Sequence, residues 1–298
     1  MIDIKRIDEF KIGQNIYGFY QSIFKEKKIS KNGDYYIDLL LRDKTGQINA
    51  KIWKFCEFYE TIFNEGDLVA VKGIVKNYRK KLFLEISNIS FLDSERYKKY
   101  GFDEVDILPS ITLSTNTIYN NILKDIEKMQ TPYKEFLHAI YIKHKNEIKL
   151  YPDSLSFSNY GKKGGLILKI YNALRIAKTI YRNKSLKDKN IILSAILLKY
   201  LGRIKQYKYN IVFSDSDIGK NENCFILSRD IIKNFSKNNK NLKKTIIMEL
   251  IDIVLYDNNQ KVDENPKGAI VSTIFNLEKS ISLNQQLEVW FLCIKNIY

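Results

Sequence analysis

Histidine is almost missing from this chain: His138 and His144 are the only two in 298 residues. Cysteine is nearly as scarce, with three residues, Cys56, Cys224 and Cys293, set far apart. That spacing excludes a four-cysteine zinc site and a disulfide framework, and it points to a reducing, cytoplasmic compartment. Two histidines leave little for a His-rich metal hydrolase. No run of about 18 apolar residues occurs, so no membrane span is expected. Residues 1–10 alternate charged and apolar side chains and lack the apolar core of a signal peptide. Arginine is rare as well, with eight residues against 41 lysines.

What is present is charge and apolar content. The net charge is +15, with 45% hydrophobic and 13% aromatic residues. Such a chain can bury a core and is no disordered polymer. A charge of this size attracts polyanions. Its lysine, asparagine and isoleucine bias is also what an AT-rich coding sequence gives, so part of it reflects composition. Residues 1–92 hold 16 basic and 12 acidic residues, and residues 93–298 hold 33 and 22, so most of the excess lies in the second part.

The first 92 residues have the period of strands. Residues 34–42 alternate, with Tyr35, Ile37, Leu39 and Leu41 on one face and Tyr36, Asp38, Leu40 and Arg42 on the other. Asp43-Lys44-Thr45-Gly46 reads as a turn in which Gly46 suits positive φ. Residues 47–53 alternate again, with Ile48, Ala50 and Ile52 inward and Gln47, Asn49, Lys51 and Trp53 outward. A short helix over 54–63 and strands over 68–76 and 82–91 complete the order of a five-stranded OB-fold barrel. Residues 93–110 are polar and irregular and read as a linker. Residues 111–298 carry helical spacing throughout. The expected class is therefore multidomain β + α, an N-terminal OB-fold barrel (1–92) followed by an all-α domain (111–298).

Arg42, Asn49, Lys51 and Trp53 on the outer barrel face, with Tyr78, Arg79, Lys80 and Lys81 before the fifth strand, mix aromatic and basic chemistry. Such faces stack bases and contact phosphate, so the expected partner is single-stranded RNA or DNA. The plainer reading has Trp53 covering the barrel end. OB domains also bind proteins, which leaves a protein partner open. Gly161-Lys162-Lys163-Gly164-Gly165 lacks the Gly-Lys-Ser/Thr ending of a phosphate loop, and Asp215-Ser216-Asp217-Ile218-Gly219 lacks the glycine and glutamate of a calcium loop.

The run from Asn32-Gly33-Asp34 through Lys51-Ile52-Trp53 resembles the OB domain of the YhaM-type 3′–5′ exoribonucleases, as do Gly66-Asp67-Leu68-Val69-Ala70-Val71-Lys72-Gly73 and Asn77-Tyr78-Arg79. The likeness continues through Leu108-Pro109-Ser110, Gly165-Leu166 and the run from Ala195 to Arg203. It implies an OB-fold before a helical HD phosphohydrolase domain, whose histidines and aspartates hold a catalytic divalent metal. At the family's metal positions this chain has Asn159, Tyr160, Lys169, Lys199, Tyr200, Leu227, Asp257, Asn258 and Asn276. A protonated lysine cannot ligate a metal, so the resemblance implies a degenerate HD domain with no metal, no cofactor and no hydrolysis. Lys169, Lys199 and Arg203 would then surround the former metal centre, either as a candidate phosphate pocket or as lysine drift. A residual nuclease stays open as the alternative, with a metal held by Asp215, Asp217, Asp252, Asp257 and Asp263. Family analogy also implies a homo-oligomer.

Overall fold

A computed structural model describes residues 3–156, 158–237, 239, 241–257 and 261–295, with side chains to residue 283 except that of Ser94. The chain divides into two compact units, Met1–Pro109 with Tyr209–Ser214, and Ser110–Lys208 with Asp215–Tyr298.

In the first unit, strands β1 (Asn15–Ile29), β2 (Tyr35–Arg42), β3 (Gln47–Ile52), β4 (Leu68–Tyr78) and β5 (Lys81–Phe91) close into a barrel in the order β1-β2-β3-β5-β4. β1 serves two neighbours. Its first half pairs with β4 and its second half with β2, with a register shift between Ser22 and Phe24. Such an irregularity bends a strand, which lets one long β1 turn the corner. The antiparallel β2–β3 register sets Ile37 against Ile52 and Leu41 against Ile48. The expected alternation holds: Ile37, Leu39, Leu41, Ile48, Ala50 and Ile52 are all buried. Closure comes from a parallel pairing of Ala50, Lys51 and Ile52 with Leu84, Glu85 and Ile86.

Between β3 and β4 the expected helix forms as α1 (Cys56–Ile62). Lys25 of β1 holds its C-terminal end, donating from Nζ to the carbonyls of Tyr59, Glu60 and Phe63 at 3.3, 2.7 and 2.5 Å. A cation there satisfies carbonyls that the helix leaves free.

Two expectations for this unit change. Gly46 is not among the glycines at positive φ. The β2–β3 turn is held instead by the buried carboxylate of Asp43, whose Oδ1 accepts from the Thr45 and Gly46 amides and whose Oδ2 accepts from the Ile7 amide. The stretch 93–110, expected as a linker, is folded up to residue 109. Asp93 caps α2 (Ser94–Lys98), and Tyr97 and Phe102 pack edge-on against Phe19 of β1. Phe102, Ile107 and Leu108 are buried. Their apolar side chains are few and follow no period, which is why the sequence reads as irregular.

The second unit contains α3 (Thr115–Glu127), α4 (Tyr133–Lys143), α5 (Lys145–Leu150), α6 (Gly165–Ile180), α7 (Leu186–Lys199), α8 (Arg203–Gln206), α9 (Cys224–Ser236), α10 (Lys244–Leu255) and α11 (Pro266–Lys295). Every residue from Asn190 to Lys199 of α7 is buried, the mark of a helix enclosed on all sides. Two buried tyrosines are satisfied by carbonyls: Tyr119 donates to the Tyr141 carbonyl and Tyr141 to the Leu197 carbonyl, both at 2.9 Å. The expectation of helices alone misses a hairpin, β6 (Tyr207–Asn210) with β7 (Val212–Asp215). Each strand has four residues, too few to display a period of two. No described helix is long and apolar enough to cross a membrane.

Gly73 sits where β4 shifts register against β5, and a Cβ there would run into the Glu85 carbonyl. Gly73→Ala is expected to cost about 1–3 kcal/mol, the usual range for overpacking. Gly46→Ala, whose Cβ would meet only the Ile7 side chain at 3.4 Å, should leave stability nearly unchanged. Thermal unfolding of the two variants checks both.

Candidate nucleic-acid interface

The outer face of β2 and β3 carries an aromatic platform. Trp53, just beyond β3, is 41% exposed and stacks on Tyr36 of β2, with ring centroids 4.8 Å apart and planes at 30°. The Lys51 ammonium lies 4.7 Å from the Tyr36 ring and 5.3 Å from the Trp53 ring. Asn49 is exposed further along the same strand. A flat, accessible ring pair with a cation beside it can take a base on its face and a phosphate at its edge. Tyr36 is absent from the residues singled out by sequence, although its place beside Asp38 and Leu40 on the outer face was visible. What was missing was the pairing that brings it to Trp53.

Tyr78, Arg79, Lys80 and Lys81 form the tip of the β4–β5 hairpin. Tyr78 pairs with Lys81, and Arg79 and Lys80 between them have φ of 51° and 62°. Both central residues are left-handed, as a type I′ turn requires, yet neither is the glycine or asparagine that this turn favours. Left-handed backbone costs roughly 1–2 kcal/mol per ordinary residue. In return the tip presents two cations and a 64% exposed Tyr78, with the Arg79 guanidinium 5.3 Å from its ring. The parallel β3–β5 register puts this tip toward the Gln47 end of β3, whereas Trp53 follows the other end. Six residues at about 3.3 Å each separate them by about 20 Å of strand.

Arg42 does not belong to this face. It is 3% exposed and donates from Nη2 to Gln21 Oε1 at 2.6 Å. The last residue of β2 pairs with Gln21 of β1, so its side chain is enclosed although the alternation assigns it outward. Burial pulls its guanidinium down to about 10.

Within the helical unit, Lys169, Arg203 and Tyr200 are drawn together by Asp153, a residue the sequence reading passed over. Lys169 Nζ lies 2.7 Å from Asp153 Oδ2 and 3.4 Å from the centroid of the Tyr200 ring. Arg203 Nε lies 3.5 Å from Asp153 Oδ1, and Arg203 also donates to Gln206. Burial draws the Lys169 pKa down, opposed by the charge and hydrogen bond of Asp153. Lys199 is 2% exposed and donates to the Val254 and Tyr256 carbonyls at 3.0 and 2.9 Å, closing the end of α10. Its pKa is pushed down to about 8 by burial. The candidate phosphate pocket at Lys169, Lys199 and Arg203 is thus corrected. Two of the three cations share an internal carboxylate and the third is bound to carbonyls, so they form packed interior.

The other positions matched to the family's metal ligands are dispersed. Asn159 donates to Ser282 Oγ at 3.1 Å. Tyr160 is buried and donates to Glu278. Leu227 is core, Asp257 and Asn276 are exposed, and Asn258 lies outside the described residues. Among the described residues no three His, Cys, Asp or Glu side chains gather as a metal site, and the five aspartates of the alternative set are not brought together.

The profile of the OB-fold nucleic acid binding domain matches residues 22–92. The first unit is therefore an OB-fold of the nucleic-acid-binding class. The chain is also 24% identical over 205 residues to the 3′-5′ exoribonuclease YhaM of Shouchella clausii (strain KSM-K16), covering 68% of this chain and 62% of the relative. The chain spans less than two thirds of that relative's length. Among solved structures, the second OB-fold domain of replication protein A from Methanococcus maripaludis is 22% identical, covers 31% of this chain and 97% of its own, and has a TM-score of 0.26. The mitochondrial single-stranded DNA binding protein Rim1 of S. cerevisiae is 16% identical, covers 28% and 97%, and also has a TM-score of 0.26.

Glu278 gives a prediction about pH. Burial, with the nearby Asp153 charge, raises its pKa to about 8 from 4.5. The folded state therefore holds a proton that the unfolded chain releases, so stability is lost as pH rises from about 4.5 through 8. Glu278→Gln removes this loss. Its melting temperature should gain on that of the parent between pH 5 and about pH 8 and level off above it. Lys199→Met should cost about 1–3 kcal/mol at neutral pH by stripping the α10 carbonyls of their donor, as read by chemical denaturation.

Proposed function

We propose that this protein binds single-stranded RNA or DNA along the outer face of its barrel and hydrolyses nothing. The exposed Tyr36–Trp53 stack with Lys51 carries the binding proposal. In an OB-fold the β2–β3 face and the β1–β2 and β4–β5 loops are the parts that hold oligonucleotides. Here those parts are the aromatic platform, the Lys31-containing loop before Tyr35, and the Arg79-Lys80 tip. About 20 Å of strand accommodates several stacked nucleotides, with bases on Trp53 and Tyr78 and phosphates on Lys51, Arg79, Lys80 and Lys81.

The non-catalytic half of the proposal rests on Lys169 and Lys199, which stand at positions where the resembling family carries metal ligands. A metal that activates water against a phosphodiester needs neutral imidazole or carboxylate donors. Two ammonium groups would repel it. Asp153, the carboxylate bonded to Lys169, is already engaged by Lys169 and Arg203. The buried free thiols of Cys56 and Cys224 suit a reducing cytoplasm.

Fluorescence titrations with single-stranded RNA and DNA at several salt concentrations, run beside a nuclease time course with Mn²⁺ and Mg²⁺, test both halves. Trp53→Ala is expected to cost about 1–3 kcal/mol of binding. Arg79→Ala should reduce the salt slope by about one ion. Replacing Arg79-Lys80 with Asn-Gly should stabilise the fold while weakening binding. Affinity indifferent to Trp53 and Arg79 would overturn the first half, and metal-dependent shortening of the RNA would overturn the second.

A further inference from the structure

The helical unit contains an open cavity of about 1210 Å³ that is separate in its lining from Lys169, Lys199 and Arg203. One face of α6 supplies Asn172, Arg175, Ile176 and Thr179, at the spacing that places residues on a single helix side. Lys178, Arg182 after the helix, Lys189 of α7 and Lys162 bring the cations on its wall to five. Lys178 is held by Asp125 at 2.7 Å. Among the described residues no carboxylate lies within ion-pair range of Lys162, Arg175, Arg182 or Lys189. Among the described residues the acid on the wall is Glu278, 2% exposed. Its Oε1 accepts from Tyr160 and Asn172, while its buried Oε2 has no hydrogen-bond partner.

Four unpaired cations around one concavity repel one another and hold a positive potential there until an anion enters. Arginine forks match phosphate oxygens in two-pronged geometry. The space far exceeds what inorganic phosphate fills, since cavities of roughly 300–1,000 Å³ already hold whole small ligands. Leu168, Ile176 and Ile281 add an apolar wall suited to a flat ring.

We infer that this cavity binds a nucleoside phosphate, with the phosphate on Arg175, Arg182 and Lys189 and the ring against the apolar wall of Leu168, Ile176 and Ile281. The ligand is either a free nucleotide or the phosphorylated end of a single strand, which share this chemistry. The inference stands apart from the barrel face and does not depend on it.

The test uses full-length protein carrying Trp53→Ala and Arg79→Ala, so that affinity of the barrel is suppressed, and calorimetry at low salt. Titrants are inorganic phosphate, each of the four ribonucleoside monophosphates separately, and phosphorylated dinucleotides. Saturable one-site binding of a nucleotide or dinucleotide is expected, at least tenfold tighter than inorganic phosphate. Adding Arg175→Ala and Arg182→Ala should weaken it at least tenfold while circular dichroism stays the same. Lys189→Ala, a milder change, should weaken it several-fold. Equal affinity for the mononucleotide and the dinucleotide identifies a free nucleotide as the ligand, and a preference for the dinucleotide identifies a strand end. Absence of saturable binding, binding no tighter than inorganic phosphate, or affinity unmoved by these variants would overturn the inference.

Discussion

Parallel pairing of Ala50, Lys51 and Ile52 with Leu84, Glu85 and Ile86 joins two strands distant in the chain and turns an antiparallel meander into a closed barrel. Once the ring is shut, the period of two along β2 and β3 has only one solution. Ile37, Leu39, Ile48, Ala50 and Ile52 fill the interior, so Tyr36, Asn49 and Lys51 must face out. The same three pairs fix which end of β3 the β4–β5 tip approaches. The aromatic platform and the basic tip therefore stand at opposite ends of one strip because of a backbone register, and no side chain contact between them is needed.

The helical unit answers to a different constraint. An ionised carboxylate is costly to bury unless cations and hydrogen-bond donors surround it. Asp153 meets that requirement with Lys169 and Arg203, and Tyr200 lies against the Lys169 ammonium. Asp153 offsets part of their charge inside the fold, and both cations are engaged by it. Removing either cation would leave the buried carboxylate with a single partner, so both serve the packing of this unit. The cations on the cavity wall differ: among the described residues no carboxylate pairs with Lys162, Arg175, Arg182 or Lys189, and their charge faces a cavity.

Strain is concentrated where the chain meets solvent. Arg79 and Lys80 adopt left-handed backbone that Asn-Gly would accept without cost. Tertiary structure holds the tip in this form by anchoring β4 and β5 along eleven residues each. Aromatic and basic side chains are thereby displayed at the price of local stability.

Much of the barrel could be read directly. Alternation in residues 34–42 and 47–53 identified the inward residues, because period two is a local property of a strand. The scarcity of histidine was likewise a property of the sequence alone, and it bears on metal chemistry whatever the fold does with the chain. The Trp53, Lys51 and Arg79 chemistry was legible for the same reason. What only tertiary structure decided is which charges are spent internally. Arg42 alternates outward yet is enclosed by Gln21 from another strand. Lys169 and Arg203 look like free cations until Asp153, far from Arg203 in sequence, is brought against them. Glu278 becomes a buried acid only when α11 carries it to Tyr160 and Asn172. Residue type and period are written in neighbouring positions, whereas the partner that neutralises a charge is chosen by packing across long stretches of chain.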